Sequence, residues 1–277
     1  MTQRNFHPSR GRSRFGILVP FTNTNLEPDM TMLRPEGVSL HFARMGGYDQ
    51  EEIPDAAQMH GLGAADLDEP LRLLHGVRPD VILYGCTSAT LTHGPAFDRE
   101  LADRIRTSSG AQTVTAAGAL VHALRTLRAT RIGFASPYVA DINDLAIRFL
   151  AETGISTVSR SEVTGQLDNY GQGALTPQAV FDLGLAADCP EAEVLVLSCT
   201  DMRSVEIIDR LEKTVGKPVV TSNQAMAFQA MQMAGITTPP AGFGRLMLNL
   251  QRLGRSARMR SRFSRDFLGC SNLIRPQ

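Results

Sequence analysis

The chain reads as an α/β protein made of two pseudo-symmetric halves, each a parallel sheet with helices, and a candidate active site in the cleft between them. Three observations predict this. Short continuous apolar runs such as Val81-Ile-Leu and Val194-Leu-Val-Leu alternate with helical stretches, as strands buried on both faces of a parallel sheet do. The pattern also occurs twice, with three landmarks in the same order roughly 110 residues apart. Finally, 277 residues are enough for one large or two small domains with proper cores.

The first landmark pairs Arg14-Phe-Gly16-Ile-Leu-Val-Pro20 with Arg131-Ile-Gly133-Phe-Ala-Ser-Pro137. The second pairs Val81-Ile-Leu-Tyr-Gly-Cys86-Thr87-Ser88 with Val194-Leu-Val-Leu-Ser-Cys199-Thr200-Asp201, and the third pairs Val114-Thr115 with Val220-Thr221. In the first half the pattern predicts a strand at 14–19, a second from Val38 to Ala43 and a helix from Ala64 to His75. A strand from Asp80 to Tyr84, a helix from Pro95 to Thr107, a strand from Gln112 to Thr115 and a helix from Gly118 to Leu127 follow. The second half repeats this, with strands at 131–135, 155–158, 194–198 and 218–221 and helices at 139–153, 177–188, 203–215 and 223–234. The halves are assigned to residues 14–118 and 119–222. Residues 223–250 are expected to pack back onto the first half, because their counterpart at 118–127 bridges the two.

The net charge is zero, but it is unevenly spread. Residues 1–14 hold four arginines and no acid, and residues 245–277 hold eight arginines against Asp266. Residues 1–13 and 251–277 are therefore read as basic, flexible tails. No aromatic interleaving or nucleic-acid motif accompanies them, so nucleic acid is not an expected partner. No apolar run reaches the ~20 residues that span a bilayer. The stretch from Met1 to Arg14 has no apolar signal-peptide core. Four cysteines do not make a disulfide framework in a chain of this size. Their spacing contains no CxxC and the six histidines are scattered, so no metal is expected. A cytoplasmic location with reduced thiols follows, and a homo-oligomer, a dimer, is the expected assembly.

Cys86 and Cys199 carry the chemistry. Each closes a strand where a helix is about to begin, at the sheet edge where ligands of parallel α/β folds bind. A thiolate is both nucleophile and base, and helix-start N–H groups favour it. A buried free cysteine is more often only a small apolar residue. The paired strand-end placement favours function here, with one sulfur on each face of a substrate and no cofactor. Cys189 and Cys270 lack a duplicate setting and are read as non-catalytic. Gly61-Leu-Gly63 reads as a flexible loop and not a phosphate cradle. His93 follows the first cysteine motif closely, but a surface or capping role is expected for it.

At this point the motifs resemble those of the aspartate/glutamate racemase superfamily, and within it the maleate cis-trans isomerase branch. The resemblance covers roughly residues 14–235 and rests on five motifs in order. They are Pro20-Phe-Thr-Asn23-Thr24-Asn-Leu-Glu27-Pro28, Gly85-Cys86-Thr87-Ser88, Ser136-Pro137-Tyr138, Asp168-Asn169 and Ser198-Cys199-Thr200. The resemblance implies a cofactor-independent isomerase of a small dicarboxylate, with Cys86 as attacking thiolate and Cys199 as its partner across the substrate. Asn23, Thr24, Thr87, Ser88, Tyr138, Asn169 and Thr200 are the expected substrate donors. A two-cysteine racemase of an amino acid or hydantoin fits the thiols equally well, and the Pro20–Pro28 loop tips the reading toward isomerisation. A non-catalytic carboxylate-binding module is the alternative outside enzymes. Decarboxylases of the arylmalonate type are disfavoured, since those relatives keep only the second cysteine.

Two positions depart from the branch pattern. Phe21 stands where Ser is usual, and Asp201 replaces a frequent Asn. A carboxylate at 201 is expected to raise the Cys199 pKa and repel a substrate carboxylate unless it points away or pairs with Arg203.

Overall fold

β1 (Ser13–Pro20) is buried along almost its whole length, as its run of Phe15, Ile17, Leu18 and Val19 requires. The computed structural model describes residues 11–47 and 52–250. After β1 come α1 (Leu26–Leu33), β2 (Val38–Met45), α2 (Ala56–Ala64), α3 (Asp68–His75) and β3 (Val81–Tyr84). The first half closes with α4 (Thr87–Leu91), α5 (Pro95–Ser109), β4 (Gln112–Thr115) and α6 (Ala116–Leu127). The second half holds β5 (Arg131–Ser136), α7 (Ala140–Glu152), β6 (Ser156–Glu162), α8 (Asn169–Gly173) and α9 (Pro177–Ala186). β7 (Val194–Leu197), a 3-10 turn at Val205–Ile207, α10 (Ile208–Val215), β8 (Val219–Thr221) and α11 (Ser222–Met233) follow.

The strands form two four-stranded sheets, ordered β2-β1-β3-β4 and β6-β5-β7-β8. Every pairing is parallel. The second order is the first with each strand replaced by its repeat mate, so the sequence duplication is a duplication of topology. Parallel strands point all their carboxyl ends to one edge, which puts the loops after β1, β3, β5 and β7 on the edge of each sheet where a ligand can sit. The matching Val-Thr dipeptides become matching helix starts. Thr115 accepts a hydrogen bond from Gly118 N. Thr221 forms a full capping box with Gln224. α11 packs on α6 and α1 and reaches β3, β4 and β8. His122 of α6 also hydrogen-bonds Gln232 of α11.

Several elements differ from the sequence expectation. The helix expected over Ala64–His75 forms only from Asp68, as α3, where the Asp66 side chain accepts from Asp68 N; α2 before it was not expected, and Asp55 caps it by accepting from Gln58 N. Gly61-Leu-Gly63 therefore lies within α2 and is not a loop. α1 was not expected. Asn23 Oδ1 nucleates it by accepting from Asn25 N and Leu26 N at 3.1 and 2.8 Å, and Pro28 falls in the first turn, where it is tolerated. The helix expected from 203 begins as the 3-10 turn and becomes α-helical only at Ile208. β6 runs on to Glu162, past the expected residue 158. Residues 1–10 and 251–277, which hold nearly all of both tails and Cys270, lie outside the described residues, as do residues 48–51.

Candidate active site

Cys86 follows β3 after a single glycine. Gly85 N donates to Leu18 O at 2.9 Å, and a Cβ on Gly85 would stand 2.7 Å from that same oxygen. A glycine is needed there, and it brings Cys86 to the first residue before α4 in extended backbone (φ −129°, ψ 113°). Cys199 occupies the mirrored place after β7 and Ser198. Both thiols are free, buried, and line one pocket between the halves.

The first half contributes Pro20, Thr22, Asn23, Pro54, Met59, Leu62, Cys86 and Ser88 to this pocket. The second half contributes Tyr138, Asn169, Gln172, Cys199, Thr200 and Asp201. Asn23, Ser88, Tyr138, Asn169 and Thr200 thus meet around the thiols. Thr24 and Thr87 do not line the pocket. Thr87 Oγ1 turns inward to donate to Ser222 Oγ at 2.9 Å, and Thr24 lies against Asp201. His93 is also outside the lining, stacked between His60 and Phe97. Glu27 pairs with Arg44 at 2.7 Å, and Arg44 in turn holds Pro20 O and Asn23 O, so the pair braces the loop. Cys189 is away from the pocket.

The seam between the halves is hydrogen-bonded. Asn23 Nδ2 donates to Thr200 Oγ1 at 3.1 Å, and Thr200 Oγ1 donates to Gly85 O at 2.8 Å. Asn169 opens α8, and its Nδ2 lies 3.3 Å from Glu52 O. Sequence reasoning missed Gln172, whose Oε1 is 3.7 Å from Cys199 Sγ. The signal was its position three residues after Asn169 on what proves to be a helix. Met59 and Leu62 were missed because α2 was not recognised. Asp201 neither pairs with Arg203 nor points into open solvent. Arg203 binds Glu206, and the Asp201 carboxylate faces the amides of Thr24 and Asn25.

Burial pushes the Cys86 thiol up, while N–H groups of Ala89 and Ser88 and the Ser88 hydroxyl pull it back toward the thiolate. Burial raises Cys199 as well, and there the Asp201 carboxylate adds to the rise, against the pull of Asp201 N and the Tyr138 hydroxyl. Burial also holds Tyr138 well above its ordinary value, with both thiols nearby, and its hydroxyl is within hydrogen-bond reach of Cys199. The resting pocket accordingly favours thiols, with Cys86 the easier one to ionise. None of the described lining residues is Arg, Lys or His, so an anion here meets neutral N–H and O–H donors and must share the pocket with the Asp201 carboxylate. No three His, Cys, Asp or Glu side chains gather as metal ligands among the described residues. No helix among them is long and apolar enough to cross a membrane.

A family model described as arylmalonate decarboxylase matches residues 15–247. The chain belongs to that family. Its relatives and fold place it in the maleate isomerase branch of the Asp/Glu racemase-like superfamily, and it is an isomerase-like enzyme. A maleate isomerase of Nocardia farcinica is 28% identical over 86% of this chain and 96% of its own length. An arylmalonate decarboxylase of Bordetella bronchiseptica is 27% identical, over 83% of this chain and 91% of its own. The solved structure of a Nocardia farcinica maleate cis-trans isomerase mutant shares the fold, with a TM-score of 0.77 at 24% identity, covering 85% of this chain and 98% of that one.

Proposed function

We propose that the chain isomerises maleate, or a closely similar small dicarboxylate, to fumarate without a cofactor, through reversible addition of Cys86 to the double bond. The observation that carries this reading is the pair of buried, inequivalent thiols lining one pocket together with Asn, Ser, Thr and Tyr donors. In the first step the Cys86 thiolate forms a C–S bond to one alkene carbon while Cys199 gives its proton to the other. The former double bond is now single and rotates, relieving repulsion between the cis carboxylates. The Cys199 thiolate then takes a proton back, the double bond reforms in the trans geometry, and the C–S bond breaks. Asn23, Ser88, Tyr138 and Asn169 would hold the carboxylates and stabilise charge that moves onto one of them during addition.

Supporting this, the Nocardia farcinica mutant named above carries a covalently bound succinylcysteine intermediate, the species that thiol addition to maleate produces. The enzyme would work with reduced thiols, as in the cytoplasm, and as a homodimer. A second reading, decarboxylation of an arylmalonate, is favoured by the Bordetella relative and needs only Cys199 as proton donor. The test is purified protein with maleate, an arylmalonate, aspartate, glutamate and a hydantoin, followed by NMR in D2O. Fumarate that disappears in Cys86→Ala supports isomerisation. Deuterium at Cα of an amino acid or hydantoin without fumarate makes the chain a racemase, and CO2 release that survives Cys86→Ala makes it a decarboxylase.

A further inference from the structure

Asp201 belongs to the second half, yet its carboxylate is bonded to the first. Oδ1 accepts from Thr24 N at 2.9 Å, Asn25 N at 3.0 Å and Asn25 Nδ2 at 2.9 Å. Asn25 Nδ2 also reaches Gly173 O at 2.9 Å. Gly173 lets this packing close, since a Cβ there would stand 3.0 Å from both Asp201 Oδ2 and Thr24 Oγ1. We propose that Asp201 is a positioning residue for Asn23, gripping the Thr24–Asn25 backbone from across the cleft so that the Asn23 side chain is held in the pocket.

The connection to Asn23 is direct. Asn23 Oδ1 is tied to Asn25 N and Leu26 N, the first of which Asp201 also holds, and Asn23 Nδ2 is tied to Thr200 Oγ1. Two consecutive residues, Thr200 and Asp201, therefore fix Asn23 from both ends. The same turn supports the second thiol, because Asp201 N donates to Cys199 Sγ at 3.3 Å. The donor on one half and the thiol on the other are thus set by a single short segment. No Arg or Lys of the described residues pairs with Asp201, and Arg203 is taken by Glu206 at 2.9 Å. A buried carboxylate without a cation is costly unless N–H groups satisfy it, and charge-assisted bonds to backbone amides are strong and directional. A neutral Asn would offer the same acceptor oxygen with a weaker grip.

The kinetic part of the test rests on the isomerase reading; the exchange part does not. Amide hydrogen exchange of the full chain is compared with maleate kinetics in wild type, Asp201→Asn and Asp201→Ala. In Asp201→Ala the Thr24 and Asn25 amides are expected to lose protection by about tenfold or more. KM for maleate should rise about tenfold with kcat changed less than about threefold, and Asp201→Asn should recover most of both. Unchanged protection in Asp201→Ala, or lost protection with KM unchanged, overturns the proposal. If Asp201→Ala does not fold, Asp201→Asn and Asn25→Ala report the same two quantities. If wild type does not isomerise maleate the functional reading fails, while protection still decides whether Asp201 grips the loop.

Discussion

The two halves share a strand order and a cysteine at the same strand end, but the chain after each cysteine differs. After Cys86 a helix starts at once, so its first-turn N–H groups converge on the sulfur. After Cys199 the chain makes the Thr200-Asp201-Met202 turn, and helix begins only at Val205. Both thiols meet N–H or O–H donors, but only Cys199 also sits beside a carboxylate, that of Asp201. Duplication supplied the symmetry, and a few residues of divergent turn made the two sulfurs chemically unequal. In the proposed reaction that inequality is the reason for giving Cys86 the nucleophile's part and Cys199 the proton donor's.

The sharpest way to break this comparison is to exchange a thiol. Cys86→Ala should lower kcat for maleate by at least about a thousandfold. Cys199→Ser should instead accumulate an adduct heavier by one maleate, read by intact-protein mass spectrometry. An adduct in Cys86→Ser and none in Cys199→Ser would reverse the assignment.

Asp29 probes the seam between the halves. It is almost wholly buried in α1, hydrogen-bonded by Asn223 Nδ2 at 2.8 Å, and burial raises its pKa to about 7. Glu206 and Asp201 push it up further, and Arg203 and the Asn223 bond pull it down. The folded value lies above the unfolded one of about 4, so the folded state binds the extra proton between those values. Stability therefore falls as pH rises from about 4 through about 7, by roughly 3–4 kcal/mol from this group. Denaturation midpoints across that window should fall less steeply in Asp29→Asn than in wild type.

Tyr138→Phe removes the hydroxyl beside Cys199. The expected loss is about 10- to 100-fold in kcat, measured by fumarate formation, and equal activity would remove Tyr138 from the chemistry. The smallest effect is expected at Thr87. Its hydroxyl serves Ser222, so Thr87→Val should cost about 1 kcal/mol of stability and leave KM for maleate unchanged. A raised KM would return Thr87 to the substrate.

Much of the fold was legible because it repeats. Val81-Ile-Leu-Tyr and Val194-Leu-Val-Leu announce buried parallel strands by composition alone, and their matched contexts disclose the duplication. α1 and α2 were hidden for a local reason. The first starts on a side-chain bond from Asn23, and the second carries Gly61 and Gly63, both poor helix formers. Cys86, Cys199, Asn23 and Tyr138 could be read because each sits at a strand end. Gln172, Met59 and Leu62 could not, since their place depends on helices that the periodicity does not reveal.

By itself the sequence determined the α/β class, the duplicated order of elements and the two strand-end thiols, because period and repetition are properties of the chain alone. The tertiary structure decided which donors face the pocket. It turned Thr87 toward Ser222 and Thr24 toward Asp201, and it gave Asp201 the amides of the opposite half. Those choices depend on contacts across 135 and 177 residues of sequence. Side-chain direction at such a seam is set by which partner the other half presents, and no local pattern in the chain records it.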